Sequence, residues 1–321
     1  MPALSSGNVA SGAGAENPHR PLGAARPRYG EKAIKALLAL CAALSVAVTT
    51  AIVISLLQPT FSFFGEVSIS DFLTGTQWAP GQARAQFGVL PIVAGTLIVT
   101  VTALLVAVPV GLLSAIYLSE YAPRRVRQIL KPALEVLAGI PTVAIGLFGF
   151  AFLRPLAEDV LPFLEWQGPF SIGVAGVAVG LLIIPLVASI SEDAMRSVPS
   201  GLREGAYALG STKMRVSVRV VFPAAISGIV AAIVLAASRA VGETMVVLMV
   251  GGAGNPELVW NPLESAQAMT AYIGRTATGD IATGTIVYDT IFAVGSLLFV
   301  MTLAMNMFAI RLVRRFREVY E

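Results

Sequence analysis

Two stretches of this sequence carry side chains that could do chemistry, and both are conspicuous for where they lie. Arg239 and Glu243 sit four residues apart inside the long apolar run 224–250. If that run crosses a membrane, an arginine near its middle costs about 2.5–3.5 kcal/mol on insertion scales, so it needs a compensating role. Four residues along a helix is one turn, which would bring the carboxylate within reach of the guanidinium. Two roles fit that spacing: a structural ion pair that cancels a buried charge, or a cation poised to meet a passing anion. For an oxyanion, the planar five-donor fork of arginine is better matched than the point charge of lysine.

The second stretch, EGAYALGSTKMRVSVRVVFP from Glu204 to Pro223, is polar and carries four charges between two very apolar runs. Its pattern predicts two short helices. Pro199 and Ser200 offer a start, and Leu202, Ala206 and Leu209 fall at i, i+4 and i+7. Gly210 is placed to end the first helix in a left-handed turn. Ser211 or Thr212 would cap the second helix, Met214, Val218, Val221 and Phe222 would form its apolar face, and Pro223 would close it. The same pattern fits an amphipathic helix lying on anionic lipid headgroups.

The elements that must position these residues are membrane spans. Hydrophobic residues make up 56% of the 321 and charged residues only 13%, about half the charged share of an ordinary soluble domain. A spanning helix needs about 20 apolar residues, and six runs qualify: 33–57, 91–118, 132–153, 171–191, 224–250 and 286–310. They are apolar on every face, unlike the alternating strands of an outer-membrane barrel, so the fold class is all-α and polytopic. Some 30 Pro/Gly/Ser-rich residues precede the first run, which is too long and too far from the start for a cleaved signal. Residues 1–30 therefore read as a disordered tail, and 31–321 as a six-helix domain with a polar insert at 196–223.

Basic residues gather on the cytoplasmic side of spans, and eighteen of the 22 lie in alternate segments. These are the tail with its following residues to Lys35, the segment Arg124–Lys131, the segment Arg196–Arg219, and the end from Arg311. Both termini and the polar insert are then cytoplasmic, and the basic charge needs no nucleic-acid partner. Cys41 is the only cysteine and His19 the only histidine, which leaves no disulfide framework, no metal constellation and no cofactor site to name. None of the four lysines follows a glycine, so there is no GxxxxGK[ST] phosphate loop and the chain is not itself an ATPase or another enzyme. Glu135 reads as a carboxylate favoured by a helix N-terminus. Gly176 and Gly180 read as a close-packing pair, and Pro109, Pro141 and Pro185 as kinks.

Glu204, Ala206, Gly210, Val220 and Pro223 together resemble the EAA loop of bacterial ABC-importer permeases, with Gly205 replacing an alanine, Val220 an isoleucine and Phe222 a leucine. SRAVGETMVVLMVGG, LKPALEVLAGIPTVAIGLFGF, FLTGTQWAP and MTAYIG resemble stretches of PstC, the permease family of phosphate-specific importers. The resemblance covers most of the chain from Asp71 onward. It implies a type I permease fold and a bacterial inner-membrane location. It further implies that the insert couples to a separate ATPase, with Glu204 meeting it and Gly210 allowing the turn between the two helices. The implied partners are a second, PstA-like permease, a PstB-like ATPase dimer, a PstS-like phosphate-binding protein at the outer face, and membrane lipid. Arg239 would contact phosphate transiently while Glu243 holds the arginine and competes for it. A permease for molybdate or sulfate is the near alternative. An ion-driven secondary transporter is the distant one, against which stands the lack of a matched pair of broken helices in the sequence.

Overall fold

The computed structural model describes residues 29–252 and 254–316. Residues 1–28, which make up nearly all of the expected tail, lie outside the described residues. The chain divides into two compact units, 1–53 and 54–321. Helix α1, Tyr29–Glu66, runs through that division. Its residues 30–52 are exposed, and from Ala36 on they are mostly apolar.

In the second unit, α2 (Ile69–Thr74) leads into a two-residue hairpin. Its strands are β1 (Trp78–Ala79) and β2 (Gln86–Phe87), antiparallel with Trp78 opposite Phe87. Helix α3 (Leu90–Ile116) follows, with a π turn at Tyr117–Tyr121. Then come α4 (Arg124–Ala138), α5 (Thr142–Phe148), a second π turn at Gly149–Leu153, and α6 (Arg154–Val160). Helix α7 (Ile172–Arg196) is succeeded by the short α8 (Ser200–Ala208), α9 (Lys213–Val216), a third π turn at Ser217–Val221, and α10 (Phe222–Ala224). Helices α11 (Ile226–Val241), α12 (Met245–Val250), α13 (Met269–Thr278) and α14 (Ile286–Phe316) complete the chain.

Among the described residues four helices are long and apolar enough to cross a membrane, or up to six if each of two bent pairs counts as one span. The α-helical, polytopic expectation is met; the small hairpin was not foreseen. The expected third span, 132–153, is broken: α4 and the segment from Thr142 meet at 88°. Pro141 lacks an N–H and forces the residue before it out of the α region, and Gly139 ends α4. The expected fifth span, 224–250, is interrupted after Ala224, with a 70° bend, and again between Val241 and Met245. Helices α3 and α7 continue through Pro109 and Pro185.

The centre of the second unit is the α3–α7 pair, faced with small residues. Ala103, Ala107, Ala175 and Ala178 are fully buried there. A Cβ on Gly176 would lie 2.6 Å from Cβ of Thr102, and one on Gly180 3.0 Å from the carbonyl oxygen of Ala103. Such residues let two backbones approach, which is what drives helix association where lipid competes equally for larger side chains. A second cluster, rich in edge-to-face aromatic pairs, joins Phe63, Phe72, Trp78 and Tyr272. A third, with Ala115, Met195, Val216, Val221 and Ile229, seats the polar insert.

Candidate functional site

The last turn of α11 carries Arg239, where a cation is favoured by the helix dipole. The helix then ends. Gly242 is its C-cap and Glu243 falls in the break, so the one-turn spacing assumed from sequence does not bring the two side chains together. Arg239 is exposed, and among the described residues it forms no ion pair or hydrogen bond. Glu243, 7% exposed, instead turns to α12. Its Oε1 accepts from the backbone N–H of Val246 at 3.3 Å, and its carbonyl accepts from the Thr270 hydroxyl at 2.7 Å. The acid closes the start of a helix, a role that sequence could not reveal without knowing where α11 stops.

The two residues nevertheless share a cavity of about 360 Å³ with Thr142, Gly242, Thr244 and Met245. Thr142 opens α5 just beyond the Pro141 break, so two helix discontinuities face one space. Helices α5 and α12 are close enough there that a Cβ on Gly146 would lie 2.8 Å from Sδ of Met249. Irregular backbone at membrane depth is tolerated only where protein buries it or where it lines a cavity.

In the polar insert, α8 ends as expected at Gly210, which takes φ +75°. The Gly210 N–H donates to the Tyr207 carbonyl at 2.9 Å and the Ser211 N–H to that of Ala206 at 3.1 Å, which is a complete Schellman motif. Thr212, not Ser211, caps the next helix by accepting from the Arg215 N–H. The faces differ from expectation. Leu209 is 88% exposed, and Met214 and Val218 are also exposed, while Val216, Ser217 and Val221 are buried and Val220 half-buried. Nor does Pro223 close the helix. The π turn before it places the Phe222 N–H on the Ser217 carbonyl, and the helix runs on to Ala224. Glu204 is exposed, Ala206 packs on the third cluster, and Gly205 has open space where a Cβ would stand.

A charge cluster that sequence reading missed lies beside the insert. Glu192, fully buried near the end of α7, holds Arg127 Nε and Lys131 Nζ at 2.8 Å each, and Arg196 at 3.8 Å. Lys131 also bonds Asp193, and Arg203 reaches Glu120 at 3.2 Å. Burial lowers the Lys131 pKa, but its hydrogen bonds to Asp193 and Glu192 and their negative charge outweigh that, leaving it raised. The signal was the i, i+3, i+4, i+7 spacing of Arg124, Arg127, Gln128 and Lys131, which marks α4 as amphipathic where hydropathy had run its second half into a span.

Residues 107–318 match the family model of the binding-protein-dependent transport system inner membrane component. The chain belongs to this family. The permease is 35% identical to a probable ABC transporter permease of Bacillus subtilis, YqgH, over 82% of this chain and 84% of that one. It is also 35% identical to the phosphate transport system permease protein PstC of Mesorhizobium japonicum, over 72% of this chain and 74% of that one. The fold is similar to that of a chain in a bacterial alginate ABC importer, with a TM-score of 0.60 and 19% identity over 89% of this chain and 99% of that one. A chain of the MetNI methionine transporter gives a TM-score of 0.51 at 21% identity over 72% and 95%. The permease is thus a polytopic membrane component of an ABC importer, a transport subunit without ATPase activity of its own. Such importers combine two permease subunits, an ATPase dimer and an extracytoplasmic binding protein.

Proposed function

We propose that this permease conducts inorganic phosphate, and that Arg239 is the cation the ion meets on its way. The observation that carries the reading is the unpaired guanidinium at the rim of a cavity bounded by two broken helices. A charge without a partner among the described residues is costly at membrane depth unless something else answers it. A travelling oxyanion answers it and then leaves. Glu243, in the same cavity, supplies the repulsion that keeps the stay short. The relatives named PstC support phosphate as the substrate.

On this reading the partners are a PstA-like permease completing the path, a PstB-like ATPase dimer, and a PstS-like binding protein outside, with both termini of this chain in the cytoplasm. The segment 196–223 is the coupling loop. Glu204, Gly205, Ala206 and Gly210 form its first helix and elbow, Val220 packs its second half on the third cluster, and Pro223 lies exposed near its end. The exposed Leu209 and Met214 give an ATPase cleft something apolar to grip.

The test is uptake of labelled phosphate by vesicles holding the assembled importer, with ATP inside and binding protein outside. Arg239→Ala is expected to lower uptake about 100-fold, as loss of a charged hydrogen-bonding contact does, while thermal stability stays unchanged. Uptake at the wild-type level would overturn the assignment of Arg239. Molybdate or sulfate carried in preference to phosphate would transfer the reading to that oxyanion.

A further inference from the structure

Helix α4 has two cavities against it, one cationic and one apolar. The first, of about 950 Å³, lies between Arg124, Arg127 and Lys131 of α4, Arg196 at the end of α7 and Arg203 of α8. Glu135 is the one carboxylate in its lining. The acids that answer the cations stand mostly behind them: the side chains of Glu192 and Glu120 are 1% and 6% exposed, and only Asp193, bonded to Lys131, is open. The second cavity, of about 420 Å³, is lined by Leu113 of α3 and Tyr117 of the π turn after it, with Leu130, Ala133, Leu134 and Leu137 of α4, and Leu118 borders both.

Donors remain unspent on the cationic side. Arg127 meets Glu192 through Nε, leaving both Nη groups; Arg196 has only its 3.8 Å contact; and Arg124 has no partner among the described residues. Arg203 contributes charge alone, since its Nη groups are bound to Glu120 and to the carbonyls of Val198 and Met195. Guanidinium forks with free N–H groups suit phosphate oxygens. The apolar cavity alongside and the exposed Ile129, Leu130 and Leu137 of α4 call for hydrocarbon, which a soluble anion lacks.

We propose that this is a site for an anionic phospholipid, its headgroup phosphate held by Arg124, Arg127 and Arg196 and one acyl chain lying along Leu113, Leu130 and Leu134. Helix α4 is then an interfacial helix, and a basic pocket beside the spans takes a headgroup. The headgroup ties α4 to the end of α7, just before α8 begins, so the lipid braces the insert from behind. The inference rests on the permease reading for the side of the membrane and is independent of phosphate as the transported ion.

The experiment uses the importer assembled from this chain and its partner subunits, in nanodiscs of phosphatidylcholine with spin-labelled phosphatidylglycerol or spin-labelled phosphatidylcholine as the probe. Retention is read without transport, so a chain that failed to carry phosphate could still pass. Wild type is expected to immobilise phosphatidylglycerol in preference to phosphatidylcholine. Arg124→Gln with Arg196→Gln is expected to weaken that preference at least tenfold, at roughly fivefold per charge. The paired lysine variants should keep most of it, and Ala133→Trp, which fills the apolar groove with the charges intact, should lose it. Equal retention of the two lipids overturns the proposal, as does an unchanged preference in the folded, assembled glutamine variant. Displacement of phosphatidylglycerol by millimolar inorganic phosphate also overturns it, because the site would then belong to a free anion.

Discussion

The α3–α7 pair and the α11–α12 junction are both places where helices meet closely, yet they are built on opposite terms. In the pair, glycines and alanines bring two continuous helices to backbone contact, and away from the ends and the two prolines the backbone bonds within its own helix. At the junction the helix stops for three residues, Gly242 to Thr244, and satisfaction comes from outside: the Thr270 hydroxyl on the Glu243 carbonyl, and the Glu243 carboxylate on the Val246 N–H. The pair cannot deform without a clash. The junction is held by three side-chain hydrogen bonds, the third from the Thr244 hydroxyl to the Gly242 carbonyl, and opens on a cavity, which is where a transport protein can move.

That contrast can be broken most sharply at Gly176. Replacing it by leucine drives a side chain into Thr102 and the Val99 carbonyl, and overpacking of this kind costs about 3 kcal/mol or more. Failure to recover the folded chain, or a large fall in its melting temperature in detergent, is the expected outcome. Thr270→Val tests the other side. It leaves a buried carbonyl without its donor, worth about 1–2 kcal/mol. The chain should still fold and assemble, with uptake reduced more than stability, as measured on one preparation by transport and by thermal melting.

Smaller effects lie in the polar insert and the charge cluster. Gly205→Ala meets open space and should stabilise α8 by about 0.5–1 kcal/mol, visible as slower proteolysis at the insert. For Lys131 the raised pKa fixes the sign. Its contribution is complete below the unfolded lysine value of about 10.4 and disappears as pH rises through the higher folded value. Melting curves should therefore show a loss above about pH 10 that Lys131→Met removes.

Features written in neighbouring residues were readable from sequence. Gly210 followed by a Ser-Thr cap announces a left-handed stop and a restart, and the close-packing role of Gly176 and Gly180 follows from their spacing alone. What failed was continuity. Pro141 was read as a kink and does mark a bend, of 88°, but a hydropathy window averages across Gly242–Thr244, so that break was read as helix, and the one-turn pairing of Arg239 with Glu243 went with it. Contacts between distant segments had no local signal. The edge-to-face contact of Trp78 with Tyr272 and the ion pairs of Glu192 with Arg127 and Lys131 join residues some 60 to 190 positions apart.

The elbow at Gly210 closes its own backbone hydrogen bonds, so the segment keeps its shape without help and a docking subunit need not fold it. Leu209 and Met214 stand bare on this chain, and on the proposed reading only a docked ATPase would cover them. On the proposed orientation, an orphan copy of this chain would display that sticky tip to every chaperone and protease in the cytoplasm.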